Sequence, residues 1–166
     1  MRDFLSEWFF KREDHADIGE ARSFEALLPI ALRVLERMPP RVLMVCGPIS
    51  TGGLGSIEKN LERFHVAIRI LIMRGENIFS QMPFEHPIQQ IRKIPGYEQG
   101  HEHLLNSFYL PIFKSGRITR MCFLPDWHSS KGARWEFRQA NLLGIDRVFF
   151  RSGFEHALDS DPIFQS

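Results

Sequence analysis

The chain has 166 residues, 43% of them hydrophobic and 25% charged, which is one domain by length with enough apolar content to bury a core unaided by metal or disulfide staples. That balance excludes wholesale disorder, collagen and coiled-coil arrays. Lys and Arg number 21 against 20 Asp and Glu, a net charge of +1. No block of like charge interrupts the chain, so a polyanion grip on duplex nucleic acid is excluded as well.

Cys46 and Cys122 each lie inside an apolar run, outside any CxxC pattern, and read as reduced, buried thiols suited to the cytoplasm. Asp3, Glu7 and Lys11 break the apolar N-terminal stretch, which therefore does not read as a signal peptide. No segment approaches the ~20 apolar residues of a membrane span. A soluble, cytoplasmic protein is expected, with no membrane partner.

Residues 1–40 read as an N-terminal helical extension and 41–166 as the main domain. Phe4, Leu5, Trp8 and Phe9 fall on one helical stripe, and Leu27, Ile30, Ala31, Val34, Leu35 and Met38 on a second that Pro39 and Pro40 stop. Ser23 is placed to cap the second helix, and Pro29 either kinks it or marks its first turn. The aromatic stripe calls for burial, against the domain or against a second copy in a homo-oligomer.

Beyond the prolines, short apolar runs alternate with helical periods. Val42 to Cys46 has the composition of a strand buried on both faces, GPISTGGLGS that of a glycine-rich turn, and Ile57 to Arg74 that of a helix ended by Gly75. Asn77 to Ser80 predicts a second strand and MPFEHP the loop leaving it. Residues 85–102 hold Pro87, Pro95, Gly96 and Gly100 and read as an irregular lid. A weaker helix follows from His103 to Lys114, interrupted by Pro111, then a strand over Ile118 to Leu124, the loop PDWHSSKG, a helix from Ala133 to Leu143 capped by Gly144, and a strand over Arg147 to Phe150. Strands alternating with helices predict an α/β fold, flavodoxin-like or Rossmann-like, with a parallel sheet covered by helices on both faces.

Ligands of such sheets bind beyond the carboxyl ends of the strands. The turn Gly47 to Gly55 there offers backbone amides and a helix start to an anion, yet lacks the lysine of a phosphate-binding P-loop and the spacing of a dinucleotide fingerprint. Glu136 is expected in the first turn of its helix, ionised at neutral pH by the helix dipole and suited to act as a nucleophile. Trp127 and His128 are candidates for stacking on a base. His86, His101, Glu102 and His103 lack metal-ligand spacing, so no metal is expected.

Taken together, CGPISTGG, the segment from LERF through ENIFSQMPF, and LPDWHSSKGARWEFRQANLLGI resemble the nucleoside 2-deoxyribosyltransferase-like superfamily, including its nucleotide N-glycosidase branch, over about Val42 to Phe150. The resemblance implies cleavage or transfer at the N-glycosidic bond of a nucleoside 5′-monophosphate or a deoxynucleoside, without a cofactor. It implies Glu136 as nucleophile, Ser130 as a phosphate ligand with Gly132 beside it, and Gly47, Pro48, Ile49, Ser50, Thr51, Gly52 and Gly53 as the substrate loop. Lys131 adds a positive charge next to Ser130 that favours a phosphorylated ligand. Met44 stands where the family often has an aromatic residue, and the aspartate usual before the third strand has no counterpart between His103 and Lys114. Glu98, Glu102 or His101 is expected to fill that place from the lid. A catalytically silent nucleotide-binding or sensing module is the alternative.

Overall fold

The computed structural model describes residues 8 to 166. Its four strands, β1 (Val42–Cys46), β2 (Asn77–Ile78), β3 (Ile118–Phe123) and β4 (Asp146–Phe149), form one all-parallel sheet in the order β2-β1-β3-β4. The expected α/β class is the observed one. Among the described residues no helix is long and apolar enough to cross a membrane.

Alternation along β1 explains why every residue of VLMVC is buried. Val42, Met44 and Cys46 belong to one core, and Leu43 and Val45 to the other. The second core is closed by α3 (Ile57–Met73) through Phe64, Ala67, Ile68 and Leu71, and by the C-terminal segment through Phe154 and Ile163. Chain direction explains the division. From β1 the chain steps outward to β2, then returns across β1 to β3, and right-handed crossovers place the intervening helices on opposite faces. The reversal leaves a crevice at the carboxyl ends of β1 and β3.

The N-terminal segment differs from the expected extension. Trp8 lies in a turn and is 78% exposed, and α1 forms later, over Arg12–Glu20. Asp14, in its first turn, accepts the Lys11 amide at 2.7 Å and so fixes the start. Phe4 and Leu5 lie outside the described residues. α2 (Phe24–Arg37) begins at the expected cap, Ser23 Oγ accepting the Ala26 amide at 3.1 Å. Pro29 is interior to the helix, past its first turn. Phe24, Leu27, Ala31, Val34 and Leu35 are fully buried in the same core as Met44 and Met121. This helix therefore packs into the core of the domain.

The largest correction concerns residues 82–92. MPFEHP is no loop, nor is the following stretch irregular throughout, because α4 runs over Met82–Arg92. Pro83 sits in the first turn, where no amide proton is needed, and Pro87 forfeits one backbone bond while Phe84, Ile88 and Ile91 bury one apolar stripe. α5 likewise passes its proline. It is α-helical over His101–Leu104, widens to a π-helix over Leu105–Tyr109 and resumes as Leu110–Lys114, the wider turn relieving the clash that Pro111 makes with the preceding turn. α6 spans Lys131–Leu143 and ends at Gly144, whose φ of +68° closes the helix as expected. Phe150, expected to end the last strand, lies beyond β4 and makes an antiparallel bridge to Phe164.

Candidate functional site

A cleft opens at the β1/β3 crevice between three walls: the loop after β1, the start of α6, and one face of α4 with α5 behind it.

The loop wall is built from GPISTGG, and its residues divide into two kinds. Gly47, Ile49, Ser50 and Thr51 line the cleft, whereas Pro48, Gly52 and Gly53 do not. The latter three hold the loop in shape. Gly52 and Gly53 adopt φ of +71° and +64°, and a β-carbon on Gly53 would lie 2.8 Å from Pro48. The buried Asn60 of α3 pins the loop from beneath, accepting the Leu54 amide at 2.8 Å and donating to the Ile49 and Gly52 carbonyls at 3.0 and 3.2 Å. Ser129 Oγ accepts the Gly53 amide at 2.9 Å and ties this loop to the one before α6.

At that second loop Ser130 is buried, its Oγ accepting the Ala133 amide at 3.3 Å as the cap of α6. Ser130, Gly132 and Glu136 all line the cleft. Lys131 reaches its outer mouth with Ser50, Thr51, Arg92 and His101. Glu136 departs from expectation in two ways. Counted from Ser130 it lies in the second turn, beyond the reach of the helix dipole. Burial pushes its pKa up to about 8, the nearby Glu85 adds to the rise, and a hydrogen bond with the Cys46 thiol offsets only part of it. The acid form therefore predominates at pH 7, and no Lys, Arg or His forms an ion pair with it among the described residues.

The third wall was not foreseen. Gln81, Glu85, Ile88, Gln89 and Arg92 follow helical spacing on one face of α4 and all line the cleft. Burial raises the Glu85 pKa to about 7, partly offset by the Tyr109 hydroxyl, which donates to it at 3.3 Å, and by the Arg92 charge. Tyr109 comes from the π-helical stretch of α5. At the mouth, Arg92 Nη2 lies 3.3 Å from His101 Nδ1, and the His101 pKa is lowered by burial and then by the Arg92 and Lys131 charges.

Other expected contacts lie elsewhere. Glu98 and Glu102 are exposed and outside the cleft, and of the three groups proposed from the lid only His101 reaches it. Trp127 stacks on Phe137 with ring centroids 4.7 Å apart and also meets Phe123 and Phe149, so its ring is spent on packing against α6 and β4. His128 is exposed, its carbonyl held by Arg134. Among the described residues no group of three or more His, Cys, Asp or Glu is arranged to hold a metal ion.

No known protein family, curated protein or solved structure matches this chain.

Proposed function

We propose that the cleft cleaves or transfers at the N-glycosidic bond of a nucleoside 5′-monophosphate or a deoxynucleoside, with Glu136 as nucleophile. The observation that carries this reading is a carboxyl buried without a cationic partner at the β1/β3 crevice, facing the glycine-rich loop. Such a group is unfavourable unless a positive charge develops beside it, as the anomeric carbon does in an oxocarbenium-like transition state. Glu85 is the second acid. Its protonated carboxyl gives its proton to the departing base nitrogen as the C–N bond breaks and the Glu136 ester forms. As a carboxylate it then takes a proton from the water or acceptor hydroxyl that releases the sugar.

The active form holds one proton between the two acids and carries it on Glu85, the less populated of the two singly protonated arrangements because Glu136 holds its proton more tightly. With pKa values of about 7 and about 8, activity should follow a bell centred between them. A phosphate would sit at the mouth, where Ser50 and Thr51 offer hydroxyls and Lys131, Arg92 and His101 offer positive charge or donors. A second reading, a silent nucleotide-binding module, is favoured by one observation: the acid form of Glu136 at neutral pH is no nucleophile.

Incubation with a panel of nucleoside 5′-monophosphates and deoxynucleosides, followed by chromatography for free base, separates the two. Base release that Glu136→Gln abolishes supports the enzyme; binding without release supports the silent module. Self-association belongs to the same proposal. Trp8 and Phe9 border an apolar groove with Ile72 and Ile78 at the open β2 edge, a surface a second copy would cover. Trp8→Ser should lower the mass measured by light scattering. Deleting the whole N-terminal segment would instead strip α2 from the core.

A further inference from the structure

Gln81 lines the cleft, yet the chemistry proposed above gives it no task. It stands just before α4, beyond the end of β2, and is only 2% exposed. Its Nε2 donates to the Val45 carbonyl at 2.8 Å. That bond decides which way the carboxamide faces, since the exchanged orientation would set two oxygens together with no proton between them. Oε1 is thus the atom left over, buried and with no hydrogen-bond partner among the described residues. A buried acceptor kept unpaired is unfavourable for folding, and such exceptions concentrate where a ligand supplies the missing donor.

The position of Gln81 along α4 limits what that donor can be. Gln81, Glu85, Gln89 and Arg92 succeed one another at helical spacing along the same wall, so it runs from an amide oxygen through a carboxyl and an amide to a guanidinium at the mouth. The anionic end of a ligand belongs with Arg92 and Lys131. An amide oxygen repels phosphate and takes an O–H or N–H, so the uncharged, proton-bearing end belongs with Gln81. Glu136 is likewise buried and lines the same cleft. If it meets the anomeric carbon, the hydroxyl nearest to it is the one on the adjoining carbon.

Resting on the function proposed above, we infer that Gln81 is a specificity-determining residue whose Oε1 accepts the sugar 2-hydroxyl, so that the protein selects ribonucleotides over 2-deoxyribonucleotides. A cleft with a fixed acceptor rejects a ligand lacking the donor, because the acceptor is then shut away from water with nothing in exchange. In the transition state the same hydrogen bond strengthens as charge grows on the sugar.

Calorimetry with sugar phosphates that carry no base tests this directly. Ribose 5-phosphate should bind about 10- to 100-fold more tightly than 2-deoxyribose 5-phosphate, the range for a buried hydrogen bond lost on one side. 2-Deoxy-2-fluororibose 5-phosphate should behave like the deoxy compound, since fluorine fills the space but donates no proton. Gln81→Met should bring ribose 5-phosphate down to the deoxy level. Should circular dichroism show the Met variant unfolded, Gln81→Asn, which withdraws the same carboxamide by one methylene, should narrow the ratio. Equal binding of all three sugars by the wild-type protein would overturn the role of Gln81 and leave the glycosidic reading standing, as would a ratio that survives in a folded Gln81→Met protein. Binding of none of them would remove the glycosidic reading and the inference with it.

Discussion

Asp14 and Glu136 both carry buried carboxyl groups, and the two are treated in opposite ways. Asp14 is fully buried, and that burial alone would raise its pKa. The Lys11 amide, Arg33 and Arg37 more than offset it and leave its pKa below the ordinary value. Glu136 is nearly as buried and has a thiol and another carboxyl for company, so its pKa climbs to about 8. The first arrangement fastens α1 to α2, and a charge is at rest in it. The second keeps a group short of stabilisation in a cleft, an arrangement that does nothing for the fold and is the kind found at binding and catalytic sites.

The sharpest way to break this contrast is to neutralise each acid and ask what is lost. If Glu136 is the nucleophile proposed above, Glu136→Gln should lower the rate of base release by at least three orders of magnitude, because it removes the charge that would meet the transition state, while nucleotide affinity stays within about tenfold. Chromatographic rate measurements across pH 5–10 check this and the wild-type bell together. A wild-type rate in the Gln variant would show that Glu136 is as idle chemically as Asp14.

The same variant should differ in stability, with a sign opposite to that of a structural acid. The folded protein holds the Glu136 proton up to about pH 8, whereas the unfolded chain releases it near 4.5. Wild-type stability therefore falls as pH rises through that window, and a Gln variant is spared the fall. The two proteins should melt together near pH 4.5 and draw apart above it, by order of 2–4 kcal/mol at pH 8. Thermal melts across that range measure the gap, and a constant difference would mean that Glu136 ionises normally.

For Asp14 the window lies lower and the sign reverses. Its folded pKa is depressed, so its contribution is present above the unfolded value of 3.8 and lost as pH falls through the folded one. Asp14→Asn should cost about 1–3 kcal/mol at pH 7, less than a wholly buried pair would, because Arg33 is 42% exposed and screened by water. Urea melts at pH 7 and pH 3 should show that cost shrinking toward the acid end, with base release unchanged per folded molecule.

The sequence was most legible where apolar period and local chemistry agreed. VLMVC marked β1 to the residue, and Ser23 and Gly144 marked helix ends, because the backbone needs a side-chain acceptor at the first and a left-handed residue at the second. Glu136 and the loop wall were visible for a related reason: strand ends and glycines are local. The α4 wall was hidden by Pro83 and Pro87, read as breakers, although Gln81, Glu85, Ile88 and Arg92 already carried the helical spacing. The pKa of Glu136 could not be read locally at all. It depends on Glu85 and Cys46, 51 and 90 positions away along the chain, meeting it at the crevice. Trp127 misled for the same reason, since nothing near it in sequence announces the Phe123, Phe137 and Phe149 rings that hold it.

The smallest effects test the comparison on the cationic side. Arg33 and Arg37 are engaged by Asp14, so their charge is answered within the protein. Arg92 and Lys131 form no ion pair among the described residues, and Arg92 leans only on His101 and the distant pull of Glu85. If that unanswered charge serves a phosphate, calorimetry should find a nucleoside monophosphate bound more tightly than its nucleoside. Arg92→Ala should weaken the monophosphate by about tenfold, near the lower end for a charge-assisted hydrogen bond. Lys131→Ala should do less, about two- to fivefold, because Lys131 is exposed and its attraction is screened by salt. Neither change should alter nucleoside affinity, and raising the salt from 50 to 500 mM should shrink the Lys131 effect more than that of Arg92. Equal affinities for nucleoside and monophosphate, or an Arg33→Ala variant that loses phosphate as readily as Arg92→Ala, would show that the mouth of the cleft is no more an anion site than the α1–α2 contact.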